Sequence, residues 1–204
     1  NSNLDAQLTT LAHLLKFNAP VTLRDQLKPW LSRDAQTSVT QVLDNPNSGQ
    51  SEKLIKQRIL EHQAAKKLET LDAQKGAHIF QVNCATCHQI KHQGGLIGPQ
   101  LDGIGSRGIQ RLAEDILDPN RNVDSHFHLT QFTFDDGSTS SAFITGERGN
   151  ALQIRDLEGN SKRLQKAKIA SRLTLPISLM PATFGQALTS EEFANLIEWL
   201  RTQS

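Results

Sequence analysis

Residues 72–89 read DAQKGAHIFQVNCATCHQ, and the order of helix and motif in this stretch decides how the rest of the chain is understood. Asp72 is a helix-capping residue type, and the run from Ala73 to about Asn83 carries no proline, so a helix is expected up to the first cysteine. Cys84-Ala-Thr-Cys87-His88 follows at once. These are the two cysteines of a 204-residue chain, and with both in one CxxC a scaffold built on disulfides is excluded. The pair has three chemical readings: a redox dithiol, half of a metal site, or covalent haem attachment. A thioredoxin-type dithiol opens a helix after a strand, whereas here a helix comes first. A structural zinc site wants a second ligand pair at close spacing, and although His92 is near, there is no second CxxC. Haem attachment needs two thiols for the two vinyl groups of one porphyrin and an imidazole directly after the second, which Cys84, Cys87 and His88 supply.

Outward from the motif, Gly76 lies one turn before Phe80, and a glycine there lets another helix cross closely. Trp199 and Leu200 are its natural partners. The stretch Gly94 to Gly108 holds six glycines and Pro99, and reads as loop. Pro99 is a candidate to accept the Nδ1 proton of His88 with its carbonyl, fixing the tautomer. Arg107 is a candidate partner for a haem propionate. Gln110 to Leu117 reads as a short helix closed by Asp118-Pro119.

A haem with both axial positions filled needs a second ligand, and a thioether there suits electron transfer. Met180, in Ser178-Leu179-Met180-Pro181, is the single methionine. His126 and His128 are the nearest alternatives, but they lead into a strand pattern. His13 and His62 read as surface residues of amino-terminal helices, and His78 as an exposed or partly packed helical residue.

From 127 to 175 the period changes from helix to strand. Leu129–Phe134, Ser141–Thr145, Ala151–Leu157 and about Lys162–Leu164 are separated by the turn signals Asp135-Asp136-Gly137, Gly146–Asn150 and Glu158-Gly159-Asn160. A small antiparallel sheet of three or four strands is expected. Thr189 and Glu192 form a capping box that opens a last helix through Trp199 and Leu200. The first 71 residues read as a helical hairpin bundle or the remnant of a solenoid. Its elements are Leu4, Leu8, Leu11, Leu14 and Leu15, then Leu23, Leu27, Trp30 and Leu31, then residues 34–43. After the break at 44–49 comes a long helix from about Ser51 to Leu71, with Leu54, Ile55, Ile59, Leu60, Leu68 and Leu71 on its apolar side.

Net charge is +1, from 22 basic and 21 acidic residues, so nothing resembles the footprint of a nucleic-acid binder. No run of 18 apolar residues exists, so no transmembrane segment is expected. The start at Asn1, without an initiator Met or signal pattern, suggests a processed or trimmed product. Lys91, Lys162, Lys166 and Lys168 read as ordinary solvated charge rather than a docking rim.

Gly76-x3-Phe80-x3-Cys84-x2-Cys87-His88, Gly98-Pro99 and Leu179-Met180-Pro181 together resemble a class I cytochrome c. Gly94-Gly95, Gly98-Pro99-x-Leu101, Ile104-Gly105, Ile116–Asn120, Asp136-Gly137, Ile169-Ala170 and Ser178–Pro181 resemble, more narrowly, the planctomycete/verrucomicrobial-type haem-binding domain over about residues 72–203. One departure is that Ser125–His128 has His and Phe where relatives often carry Tyr. The resemblance implies a mainly α protein: a cytochrome c helical core over 72–204, a β insertion at about 127–175, and a preceding helical segment over 1–71. It implies one covalent haem c and His88/Met180 ligation. Relatives are often electron-accepting modules of larger proteins with a quinoprotein-like dehydrogenase. Single-electron transfer between a periplasmic sugar or alcohol dehydrogenase-type donor and a respiratory acceptor is therefore expected, rather than catalysis. The alternative is a gas sensor or peroxidase-like enzyme with a labile distal ligand, in which His126 or His128 would act as distal acid/base.

Overall fold

The structure is a computed structural model and describes residues 48–175 and 177–203. The helices expected over 1–47, with His13, lie outside the described residues.

Helix α1 (Ser48–Lys67) opens the described chain. Its buried side chains are Ser51, Ile55, Arg58 and His62, which recur every three to four residues and so form one stripe. This corrects the expected apolar face. Leu60 is 65% exposed and Leu68 72%, whereas His62, expected at the surface, is 1% exposed. Leu54 and Leu60 lie on different sides of this helix, so the partners it meets choose the inward face. Those partners are the last helix and the helix after the glycine-rich loop. Burying Ile55 completely contributes about 1.5–3 kcal/mol.

Helix α2 (Ala73–Asn83) begins where expected: Asp72 Oδ1 accepts the N–H groups of Gln74 at 2.8 Å and Lys75 at 3.1 Å. After the CxxCH turn, strands β1 (Gln89–Ile90) and β2 (Gln93–Gly94) form a two-residue hairpin. Lys91 and His92 both take positive φ, 50° and 64°, as a type I′ turn requires. This hairpin was not expected, since Lys-His is not a turn pair that sequence statistics favour. A 3₁₀ turn (Ile104–Arg107) leads into α3 (Gly108–Leu117), which buries Leu112, Ala113, Ile116 and Leu117.

The insertion holds five strands, not three or four: β3 (Leu129–Phe134), β4 (Thr139–Arg148), β5 (Ala151–Asp156), β6 (Ser161–Gln165) and β7 (Ile169–Leu175). The order is β6-β5-β4-β3-β7, antiparallel between every pair of neighbours. The sheet is strongly coiled, and two hydrogen bonds show it. Lys166 N–H donates to the Asn150 carbonyl at 2.9 Å, and Asp135 N–H to the Lys168 carbonyl at 3.2 Å. Asn150 and Asp135 flank opposite ends of β4, whose ten residues would span about 30 Å if straight. The three residues Lys166–Lys168 bridge both ends, so β4 bends hard. The register shift between Ile144 and Gly146 is where the extra residue permits this. Phe132, Ala142, Leu152 and Ile154 fill the resulting core, with Phe134, Ile144, Leu164 and Ile169 around them.

Helices α4 (Phe184–Ala187) and α5 (Ser190–Arg201) close the chain, the latter under the Thr189/Glu192 capping box. A second, larger core gathers Ile55 of α1, Ile79 and Phe80 of α2, Leu112 to Leu117 of α3, and Phe193, Leu196, Ile197 and Leu200 of α5.

Candidate functional site

The crossing of α2 over α5 sets the site. A Cβ on Gly76 would stand 2.1 Å from the Asn195 carbonyl oxygen and 2.7 Å from Trp199 Cβ, so only hydrogen fits there. The close approach brings Phe80 against Trp199, with ring centroids 4.7 Å apart. Asn195, itself buried, accepts the Asp72 N–H with its side-chain oxygen at 2.8 Å, which fixes the start of α2 relative to α5.

At the other end of α2 the chain winds into a tight turn. Cys84 and Ala85 N–H both donate to the Phe80 carbonyl, and Cys87 and His88 N–H both donate to the Cys84 carbonyl. The turn leaves Cys84 half-buried and Cys87 exposed, and both are free thiols. Burial, with Cys87 adding to it, pushes the Cys84 thiol up to about 11.

His88 Nδ1 lies 2.9 Å from the Pro99 carbonyl oxygen. A carbonyl only accepts, so Nδ1 carries the proton and donates it. Burial lowers the imidazole pKa and the bond to Pro99 opposes this, so the neutral ring with a free Nε2 lone pair prevails at neutral pH. The glycine-rich loop makes the contact possible. A Cβ on Gly98 would sit 2.7 Å from His88 Cε1, and one on Gly95 2.0 Å from the Thr86 carbonyl oxygen.

Met180 is half-buried and packs on the same hydrophobic cluster as Cys84, Leu101, Ile104 and Trp199. Its N–H donates to Ser178 Oγ at 3.1 Å, and Ser178 N–H donates to Asn120 Oδ1 at 2.8 Å. The loop is thereby tied to the end of α3. This donor set fits haem c: two unpaired thiols on one turn, an imidazole held as the Nε2 donor by a backbone carbonyl, and a thioether on the shared apolar wall.

Arg107 is half-exposed and pairs with Asp115 at 3.1 Å. His126 is exposed and pairs with Asp124 at 2.9 Å, and His128 Nε2 lies 3.3 Å from the Val123 carbonyl. His78 is exposed. His92 sits exposed in the β1–β2 turn. Among the described residues no group of three or more His, Cys, Asp or Glu gathers closely enough to hold a metal ion. The coiled sheet reaches the site's loop directly: Arg155 of β5 donates to the Leu96 carbonyl at 2.8 Å. Sequence reading missed Arg58, which the structure buries against the segment after Met180. Its only signal was its place on the same turn-by-turn stripe as Ile55 and His62.

Residues 73–143 match the family model described as Cytochrome c. The match covers α2, the CxxCH turn and the glycine-rich loop, and ends within β4. Over 37 residues the chain is 49% identical to the cytochrome c of Cochliobolus lunatus, and 49% identical over 37 residues to that of Arabidopsis thaliana. Each alignment covers 18% of this chain and 34% or 33% of the relative, so the chain spans about a third of the length of the curated relatives it matches. No helix among the described residues is long and apolar enough to cross a membrane.

Proposed function

We propose that this chain is a mono-haem c-type cytochrome that carries single electrons between a periplasmic dehydrogenase-type donor and a respiratory acceptor. The observation that carries the reading is the His88–Pro99 hydrogen bond of 2.9 Å, which presets His88 as an Nε2 donor directly after the second thiol. Haem c supplies a one-electron iron couple when bound. Cys84 and Cys87 would hold it covalently, His88 Nε2 and the Met180 thioether would ligate its iron, and a thioether ligand would raise the potential. Phe80, Trp199, Leu101 and Ile104 belong to the same apolar cluster as Cys84 and Met180. A haem propionate would compete with Asp115 for Arg107.

The insertion between α3 and Met180 supports assignment to the planctomycete/verrucomicrobial type, whose donor would be a quinoprotein sugar or alcohol dehydrogenase. Covalent attachment by the usual machinery occurs outside the cytoplasm, which supports a periplasmic site. The test is the absorption spectrum of both redox states for wild type and Met180→Ala. Loss of the weak far-red Met–Fe(III) band and of the low-spin spectrum in the variant is expected. A variant spectrum identical to wild type in both states overturns the Met180 assignment.

A further inference from the structure

We propose that Arg58 of α1 is a positioning residue for the Met180 loop, so that a helix outside the family-matched stretch sets how firmly the sixth ligand is held. This rests on Met180 as that ligand. Arg58 is 8% exposed, and its guanidinium reaches three groups just beyond Met180. Nη2 donates to the Gly185 carbonyl at 3.0 Å and the Leu188 carbonyl at 2.9 Å, and Nη1 donates to Ser190 Oγ at 2.5 Å. Gly185 and Leu188 bracket the end of α4, where carbonyls have no partner within the helix. The guanidinium supplies those partners and joins them to the first residue of α5. Glu61 lies 3.4 Å from Nη1, and the Phe193 ring centroid 6.0 Å from the guanidinium carbon.

The same helix grips the loop a second time. Leu54, one turn before Arg58, lies so close to Gly185 that an added Cβ would stand 2.4 Å from Leu54 Cδ2. On the other side of Met180, Glu52 pairs with Arg121 at 2.9 Å, and the adjacent Asn120 accepts the Ser178 N–H. Both ends of the segment 178–188 therefore answer to α1. Arg58 is costly to bury and its Nε has no partner, so the three bonds it makes beyond Met180, together with Glu61, are what offset that cost. A lysine keeps the charge but not the planar fork that serves two carbonyls and a hydroxyl together.

The experiment compares haem-loaded wild type, Arg58→Met, Arg58→Lys and Met180→Ala. It reads the far-red band against temperature, the carbon monoxide association rate of the reduced protein, and helix melting by circular dichroism. In Arg58→Met the band is expected to disappear well before the helices melt, and carbon monoxide to bind at least about tenfold faster, since loss of even one of the three charge-assisted hydrogen bonds would shift loop opening by about that factor. Arg58→Lys should fall between, and it serves the same test if Arg58→Met does not fold. A band that persists in both variants up to helix melting, with the wild-type association rate, overturns the clamp while leaving Met180 ligation intact. Absence of the band from wild type overturns the ligation and the clamp together.

Discussion

The backbone of Gly98 lies flat against the imidazole of His88: a methyl group on its Cα would stand 2.7 Å from Cε1 and 3.0 Å from Nδ1. The neighbouring residue, Pro99, accepts the Nδ1 proton. One dipeptide thus limits the ring's tilt and decides which nitrogen is free.

Gly98→Ala is expected to push the ring off the Pro99 carbonyl at a cost of about 1–3 kcal/mol, the usual range for overpacking. The loss would fall on the site rather than on the helical core. Urea unfolding of the haem-loaded protein, read at the Soret band and by far-ultraviolet circular dichroism, separates the two. Coincident, unshifted transitions would contradict the prediction.

The α2–α5 crossing predicts a larger effect. Gly76→Ala places a methyl against backbone, the Asn195 carbonyl, which cannot turn away as a side chain can. Destabilisation at or above the upper end of the overpacking range, about 3 kcal/mol, is expected. Asp72→Ala removes only the cap of the same helix and should cost about 1 kcal/mol. Denaturant titration ranks the two variants, and the reverse order would count against the crossing geometry.

Covalent attachment through both thiols is checked on a denaturing gel by haem peroxidase staining. Cys84→Ser/Cys87→Ser should show no stain, and each single variant should show less than wild type. Full staining of the double variant would mean that the CxxCH motif does not carry the cofactor.

His62 makes stability depend on pH. Burial lowers its pKa from the ordinary 6.5, while Glu198, 3.2 Å away, pulls it up, and Arg201 and Lys66 lower it further. The folded state therefore binds fewer protons than the unfolded one as pH falls below 6.5. The contribution of His62 is complete above that value and is lost as pH falls through it toward the folded pKa. Between pH 7.5 and 5.5, wild type should lose more melting temperature than His62→Gln, on the order of a few degrees. Parallel curves for the two proteins would show that His62 does not titrate in this window.

Much of the site was legible because its chemistry is local. Thiols three apart, an imidazole after the second, a capping aspartate at 72 and a capping box at 189–192 depend on residues within one or two turns of each other. Hydrogen bonds in those places form between near neighbours whatever surrounds them. The His88–Pro99 contact spans eleven residues, and glycine content made it readable, since only glycine lets the loop fold back that tightly.

What the sequence determined by itself, then, is the motif, the helix boundaries around it and the turns at 135–137 and 158–160; the turn expected over Gly146–Asn150 shrinks to Gly149-Asn150, because β4 runs on to Arg148 in pairing with β5. The tertiary structure decided the rest. Strand β7 escaped notice because its pattern hardly alternates, and it exists through pairing with β3, about 40 residues earlier. The inward face of α1 was decided by α3 and α5, because leucines on two sides of a helix, Leu54 and Leu60, leave its orientation open until a partner covers one of them. Arg58 and His62 can be buried only because carbonyls and a carboxylate from residues 185–198 are there to meet them. Burial of a polar side chain depends on a partner more than a hundred positions away, and no local pattern encodes it.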